Sequence, residues 1–160
     1  MKPAPPVIRT CTAGQYIGGL CSNSAVADCV FCRIVAGELP ALRIAESERA
    51  LAILDIAPAT RGHALVLPRA HTADLHTISA EDLGACALLA KEVAGRAQSR
   101  LGADGVTVIQ SNGEAAWQTV FHFHLHVIPR YRGDPLKLPW TPTPGDQEQL
   151  KGISQAYFSD

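Results

Sequence analysis

The sequence has no long hydrophobic run. Its apolar stretches stop well short of the roughly 20 residues that a membrane-spanning helix needs, so no membrane partner is expected. It also lacks an excess of either charge. The 14 basic residues are balanced by 15 acidic ones, for a formal net charge of -1 at pH 7. The basic residues are scattered rather than massed, which argues against nucleic acid or an acidic lipid surface as a partner. A secretory leader is not evident. The first six residues hold three prolines, and no continuous apolar segment follows them. The chain is therefore expected to be cytoplasmic. Cysteine is sparse, and its number, 5, is odd. That fits poorly with a fully paired disulfide framework. No internal repeat is present. What remains is a chain of 160 residues, 47% of them hydrophobic, enough for one domain with a core.

Residues 1–27 are rich in Pro, Gly, Ser and Ala and read as an N-terminal extension. The composition shifts at Asp28, and residues 28–160 are expected to form a single domain with a Pro-rich C-terminal tail. From Cys29 to about Ala36 the chain suits one or two helical turns. LRIAES and RALAILD read as two strands joined by a polar turn, and GHALVLPR as a buried third. Ser79 opens the clearest helix, with Asp82 completing a capping box. Leu83, Cys86, Ala87, Ala90, Val93 and Ala94 recur at helical spacing, and Gly102 is the expected stop. GVTVIQS is a strand, NGEAAWQT a turn and VFHFHLHVI another strand; 146–157 can form a last helix. Short antiparallel strands around one long helix predict an α+β fold.

The stretch FHFHLHVIPR holds half of the six histidines, at every second position: His122, His124 and His126. In a strand they share one face, while Phe121, Phe123, Leu125 and Val127 share the core face. One reading is a merely polar, solvated face. A second is a zinc ion held by all three, but residues 122 and 126 would lie roughly 13 Å apart on an extended strand. Zn–N bonds are only about 2.0–2.1 Å. A third is nucleophilic: a neutral imidazole can attack phosphorus when its other nitrogen carries a proton held by a partner.

Cys29 and Cys32 form a CxxC at the start of the core domain. Buried thiols are the plain alternative. A structural zinc needs four ligands, and His71, just after a strand, is a candidate third. If His122 supplies the fourth, one histidine anchors metal and two remain for chemistry. His63 alone would more often be a core histidine. Asn112 alone could be ordinary turn chemistry beside Gly113.

Taken together these residues resemble the histidine triad (HIT) family of nucleotide hydrolases and transferases. Its motif, alternating histidine and apolar residues, stands here as His122-Phe-His124-Leu-His126-Val-Ile. LDIAPATRGHALVLPRAH is similar to the family's nucleoside-holding segment, and SNGEAAWQTVFHFHLHVIPR to its phosphate loop and catalytic strand. The resemblance covers about Cys29 to Arg132. It implies an antiparallel meander of about five strands with one long helix and a C-terminal helix, usually a homodimer. It also implies that His124 attacks an α-phosphate, that His126 contacts and polarises the phosphate, and that His63 supports the triad. Asp55 would bind ribose hydroxyls; Asn112, Gln118 and Thr119 would line the phosphate loop. Ile34, Leu54 and Ile56 would flank the base. Zinc-bearing branches imply a structural Zn2+ on Cys29, Cys32, His71 and His122. One departure stands out. A Gly commonly precedes the loop glutamine, and here it is Trp117, a residue that resists positive φ.

The function expected on these grounds is hydrolysis or transfer at the α-phosphate of a purine nucleotide conjugate, through a covalent nucleotidyl-histidine. It would break phosphorus–nitrogen or phosphoanhydride bonds and use no organic cofactor. A nucleotide-binding regulator with little or no turnover is one rival. A hydrolase with catalytic zinc at the triad is another.

Overall fold

The computed structural model describes residues 28–137 and 140–158. The expected extension over 1–27 lies outside them. Five strands form one antiparallel sheet in the order β1-β2-β3-β5-β4. They are β1 (Arg43–Glu46), β2 (Ala50–Leu54), β3 (Ala64–Pro68), β4 (Gly105–Ile109) and β5 (Leu125–Arg130). Among the described residues three α-helices accompany them: α1 (Val30–Val35), α2 (Ala80–Leu101) and α3 (Gln147–Phe158). The expected α+β meander is what forms.

Alternation along β2 and β3 divides the core between the two faces of the sheet. Ala50, Ala52, Ala64 and Val66 point to one side, where they meet Cys86, Leu89, Ala90 and Val93 of α2. The small alanines let this helix approach closely. Leu51, Ile53, Leu65 and Leu67 point to the other side, against Phe31 and Ile34 of α1. Strand β5 obeys the same parity. Its Val127 pairs with Ala64 and joins the α2 side, while His126 pairs with Leu65 and emerges on the α1 side. Phe123 is fully buried with Val127. Truncating such a phenylalanine to alanine typically costs about 3–5 kcal/mol.

Local signals set the bounds of α2. The Ser79 hydroxyl accepts from the Asp82 backbone N–H at 3.1 Å, satisfying one of the orphan donors of the first turn. Arg49 then donates to the Asp82 carboxylate at 2.8 Å, tying the cap to the turn just before β2. Gly102 ends the helix in the left-handed conformation, at φ 69°. The buried stripe differs from expectation at one position: Ala87 is exposed and Leu89 is buried. Leu89 stands one turn from both Cys86 and Val93, which are buried against the sheet, and so shares their stripe. Helix α3 forms where expected but buries none of its residues.

The strand that carries the alternating histidines is shorter than expected. Residues 120–124 are extended or bent but outside the ladder, and β5 begins at Leu125. The reason lies in β3, which ends at Pro68. The Pro68 carbonyl, which could have continued the ladder, accepts instead from Nε2–H of His122 at 3.0 Å. The Phe123 N–H goes to the Thr72 carbonyl at 2.7 Å. Phe121, expected in the core, is only half-buried and belongs to neither apolar cluster.

Candidate functional site

Helix α1 carries Cys29 at its N-cap and Cys32 in its first turn, which sets both thiols on one side. His71 arrives on the segment after β3, and His122 on the arm before β5. The four ligand atoms lie within 4.8 Å of one another. Nδ1 of His122 stands 3.5 Å from each sulfur, and Nδ1 of His71 stands 3.1 Å from Sγ of Cys32. Two donors on a tetrahedral zinc, with Zn–S about 2.3 Å and Zn–N about 2.0–2.1 Å, sit roughly 3.5 Å apart. The set therefore fits the ion in donor type and in spacing. The tautomer fits too. A carbonyl only accepts, so the bond to Pro68 keeps the proton of His122 on Nε2 and leaves the Nδ1 lone pair facing the sulfurs. His122 has no exposed surface, and burial pushes its pKa down to about 4.

His124 faces a different partner. Its Nδ1 lies 2.7 Å from the backbone carbonyl of His122. By the same argument Nδ1 carries the proton and Nε2 is a lone pair. Burial lowers the pKa of this imidazole, against smaller upward pulls from that hydrogen bond and from Asp55.

The third histidine is set by a longer chain of bonds. The backbone N–H of Ala59 donates to Nδ1 of His63 at 3.1 Å. Nε2 of His63 then holds the proton and donates it to Nδ1 of His126 at 3.0 Å. His126 is left with its own proton on Nε2. Burial, then the neighbouring His124 and His63, push the His126 pKa down to about 4. Asp55 completes this end, with a carboxylate oxygen 3.6 Å from Nδ1 of His63 and the other accepting from the Ala57 N–H at 2.8 Å. The sharp turn that delivers His63 needs Gly62. Its φ is 86°, and a Cβ there would sit 2.5 Å from Leu101.

The three triad histidines thus do not converge on one point. His122 turns to the cysteines, His126 to His63, and His124 keeps an open nitrogen between them. That arrangement counts against one metal held by all three.

The loop from residue 110 to 124 leaves the sheet at Ile109, the register partner of His126, and returns at Leu125. Both of its ends therefore stand at the triad. Gln118, 3% exposed, staples it shut. Its carbonyl accepts from the Gly113 N–H at 2.7 Å, and its amide nitrogen donates to the carbonyls of Ala73 and Val120. Both amide hydrogens thus have partners inside the protein, and Gln118 holds the loop closed. Asn112 ties its carbonyl to the Leu75 N–H at 2.7 Å, and Thr119 is exposed. Ile34 is buried in the α1 cluster, while Ile56 is fully exposed. Several contributors carry no sequence signal, because they are main-chain atoms: the carbonyls of Pro68 and Thr72 and the N–H of Ala59. Phe31 could have been found inside the CxxC. It packs edge-on to the rings of His122 and His124.

Trp117 closes the short turn Glu114–Ala116 at φ 68°, the one positive φ among the described non-glycine residues. The residue is 70% exposed. For an L-residue that conformation costs roughly 1–2 kcal/mol. Trp117→Gly is therefore expected to stabilise the fold by about 1 kcal/mol, a rise of roughly 2–4 °C in melting temperature at this size. Thermal melts of the two proteins check it; a lower midpoint for the variant would show that the ring holds the loop together.

Comparison with known proteins agrees with this geometry. Residues 36–133 match the HIT domain family. A HIT-like protein of Mycobacterium tuberculosis is 49% identical over 110 residues, 69% of this chain and 76% of that protein. An adenosine 5'-monophosphoramidase of Schizosaccharomyces pombe is 38% identical over 132 residues, 82% of this chain and 96% of its own length. Among solved structures, a zinc-bound histidine triad family protein of Mycobacterium smegmatis is 43% identical with a TM-score of 0.68, over 82% of this chain and 99% of that one. With the triad, its supporting histidine and the five-stranded sheet in place, this chain belongs to the HIT family.

Proposed function

We propose that the protein hydrolyses conjugates of a purine nucleoside 5′-monophosphate, adenosine foremost, through a covalent intermediate on His124. One observation carries the reading: the bond from Nδ1–H of His124 to the His122 carbonyl. It leaves Nε2 as a lone pair on a neutral, buried imidazole. That nitrogen attacks the α-phosphorus, and the bond to the leaving group breaks. An amine leaves with a proton taken from water. Water then attacks the same phosphorus, the phosphorus–nitrogen bond to His124 breaks, and the nucleotide departs. Nε2–H of His126 donates to a non-bridging oxygen as charge builds there. His63 holds His126 in the tautomer that can do so.

Asp55 accepts from the ribose hydroxyls. The amide of Asn112 and the hydroxyl of Thr119 face the phosphate, and Gln118 holds their loop. Cys29, Cys32, His71 and His122 hold a structural zinc, which when bound crosslinks α1 to the segment after β3 and the arm before β5. Residues 28–160 act as one domain preceded by an extension over 1–27, and the protein works as a cytoplasmic homodimer. The outer edge of β4, with Val108 and Ile109 exposed, supports self-association. The relative named for phosphoramidate cleavage supports the reaction class.

The test is intact-mass spectrometry after rapid quench with adenosine 5′-phosphoramidate. An acid-labile adenylyl adduct is expected. Nucleotide binding with neither adduct nor released AMP would sink the reading and favour a regulator.

The pH profile follows from His126. Its pKa is lowered to about 4, so the tautomer that accepts from His63 persists well below the ordinary histidine value of about 6.5. The acid limb of kcat/KM, which reports the free enzyme, is expected below pH 6. A limb at 6.5 or higher would contradict the assigned environment.

A further inference from the structure

Trp117 is strained without structural return. Its backbone holds a conformation that glycine or asparagine adopts freely, and its ring lies mostly in solvent. The indole belongs to neither apolar cluster. The backbone that carries it is nonetheless firmly held. The Trp117 N–H bonds the Glu114 carbonyl at 2.9 Å, the Gln118 N–H bonds the Gly113 carbonyl at 3.1 Å, and the Gln118 side chain locks the next turn.

Its position is also informative. The Asp55–His63–His126 chain occupies one end of the triad. The loop lies along the other, pinned to residues 73–75 beside His71 by Gln118 and Asn112. His124 stands between the two ends. With the ribose at Asp55, the other substituent of the α-phosphate is directed toward the loop.

We propose that Trp117 is a specificity-determining residue, offering its indole face to a flat aromatic leaving group. The inference rests on the nucleotide-conjugate reading for its substrate class. An exposed π face beside a phosphate loop recognises any planar ring by stacking, whatever its hydrogen-bonding pattern.

The experiment compares kcat/KM for AMP anilide and for unsubstituted adenosine 5′-phosphoramidate. Dividing one by the other within each protein cancels changes common to both substrates. The ratio is expected to fall about tenfold in Trp117→Asn and Trp117→Gly, in line with measured stacking contributions. It should stay within about twofold in Trp117→Phe. An unchanged ratio in the Asn and Gly variants overturns the proposal. If neither substrate is turned over, the hydrolase reading has failed, and fluorescence decides the role of Trp117 separately. The chain has 2 tryptophans, so in Trp140→Phe the emission is that of Trp117 alone. Stronger quenching by AMP anilide than by AMP upholds the proposal; equal quenching, or none, overturns it.

Discussion

Replacing His124 by alanine is expected to lower the rate of AMP release by at least about 10⁴-fold, as loss of a covalent nucleophile does. No neighbour can take over. Nδ1 of His126 accepts from His63 and its Nε2 carries a proton. Nδ1 of His122 faces the cysteines, and its Nε2 is bonded to the Pro68 carbonyl. The fold should survive. His124 is buried, but its one hydrogen bond is to the residue two before it, so removal leaves a small cavity and one freed carbonyl. A stability loss of about 1–3 kcal/mol is the expected scale. Single-turnover rates and a denaturant melt on the same preparation separate the effects. A folded variant that retains a tenth of the activity would rule out His124 as the nucleophile.

Removing metal is expected to act on stability first. The four ligands join three segments far apart in sequence: α1, His71, which is 39 residues beyond Cys32, and His122, 90 residues beyond it. An ion that binds only the folded arrangement stabilises it by its full binding free energy. Elemental analysis should find one zinc per chain. Stripping the ion with a chelator, or Cys32→Ser, should cost about 3–5 kcal/mol, which at this size lowers the melting temperature by roughly 10 °C. Activity should disappear along the unfolding curve and not ahead of it. Immediate loss of turnover with an unchanged melting curve would mean that metal takes part in the reaction itself.

Much of this arrangement is legible in the sequence, for a local reason. Helix α2 is marked by Ser79, Asp82 and Gly102, whose effects act within a few residues. Strands β2 and β3 announce their two-sided burial by alternating small and large apolar residues. The spacing of the histidines is equally local, since a period of two sends them to one side. The length of β5 is not legible. It depends on where β3 stops and on the Pro68 carbonyl being taken by a side chain 54 residues away. Gln118 is a similar case. Its hold on the loop depends on the fold bringing the carbonyls of Ala73 and Val120 to its amide.

The sequence by itself determines which groups are available: three imidazoles on one side of an extended arm, two thiols a helical turn apart, a carboxylate and a fourth histidine. Those are properties of residue type and spacing. The division of labour among the histidines is decided only by the tertiary structure. Identical imidazoles come to differ because each meets a different main-chain or side-chain partner, and that partner fixes which nitrogen keeps the proton; the proposed roles of ligand, nucleophile and donor rest on that difference. The strain at Trp117 belongs to the same level. A tryptophan has no preference for the left-handed region; the hydrogen bonds that close its loop hold it there.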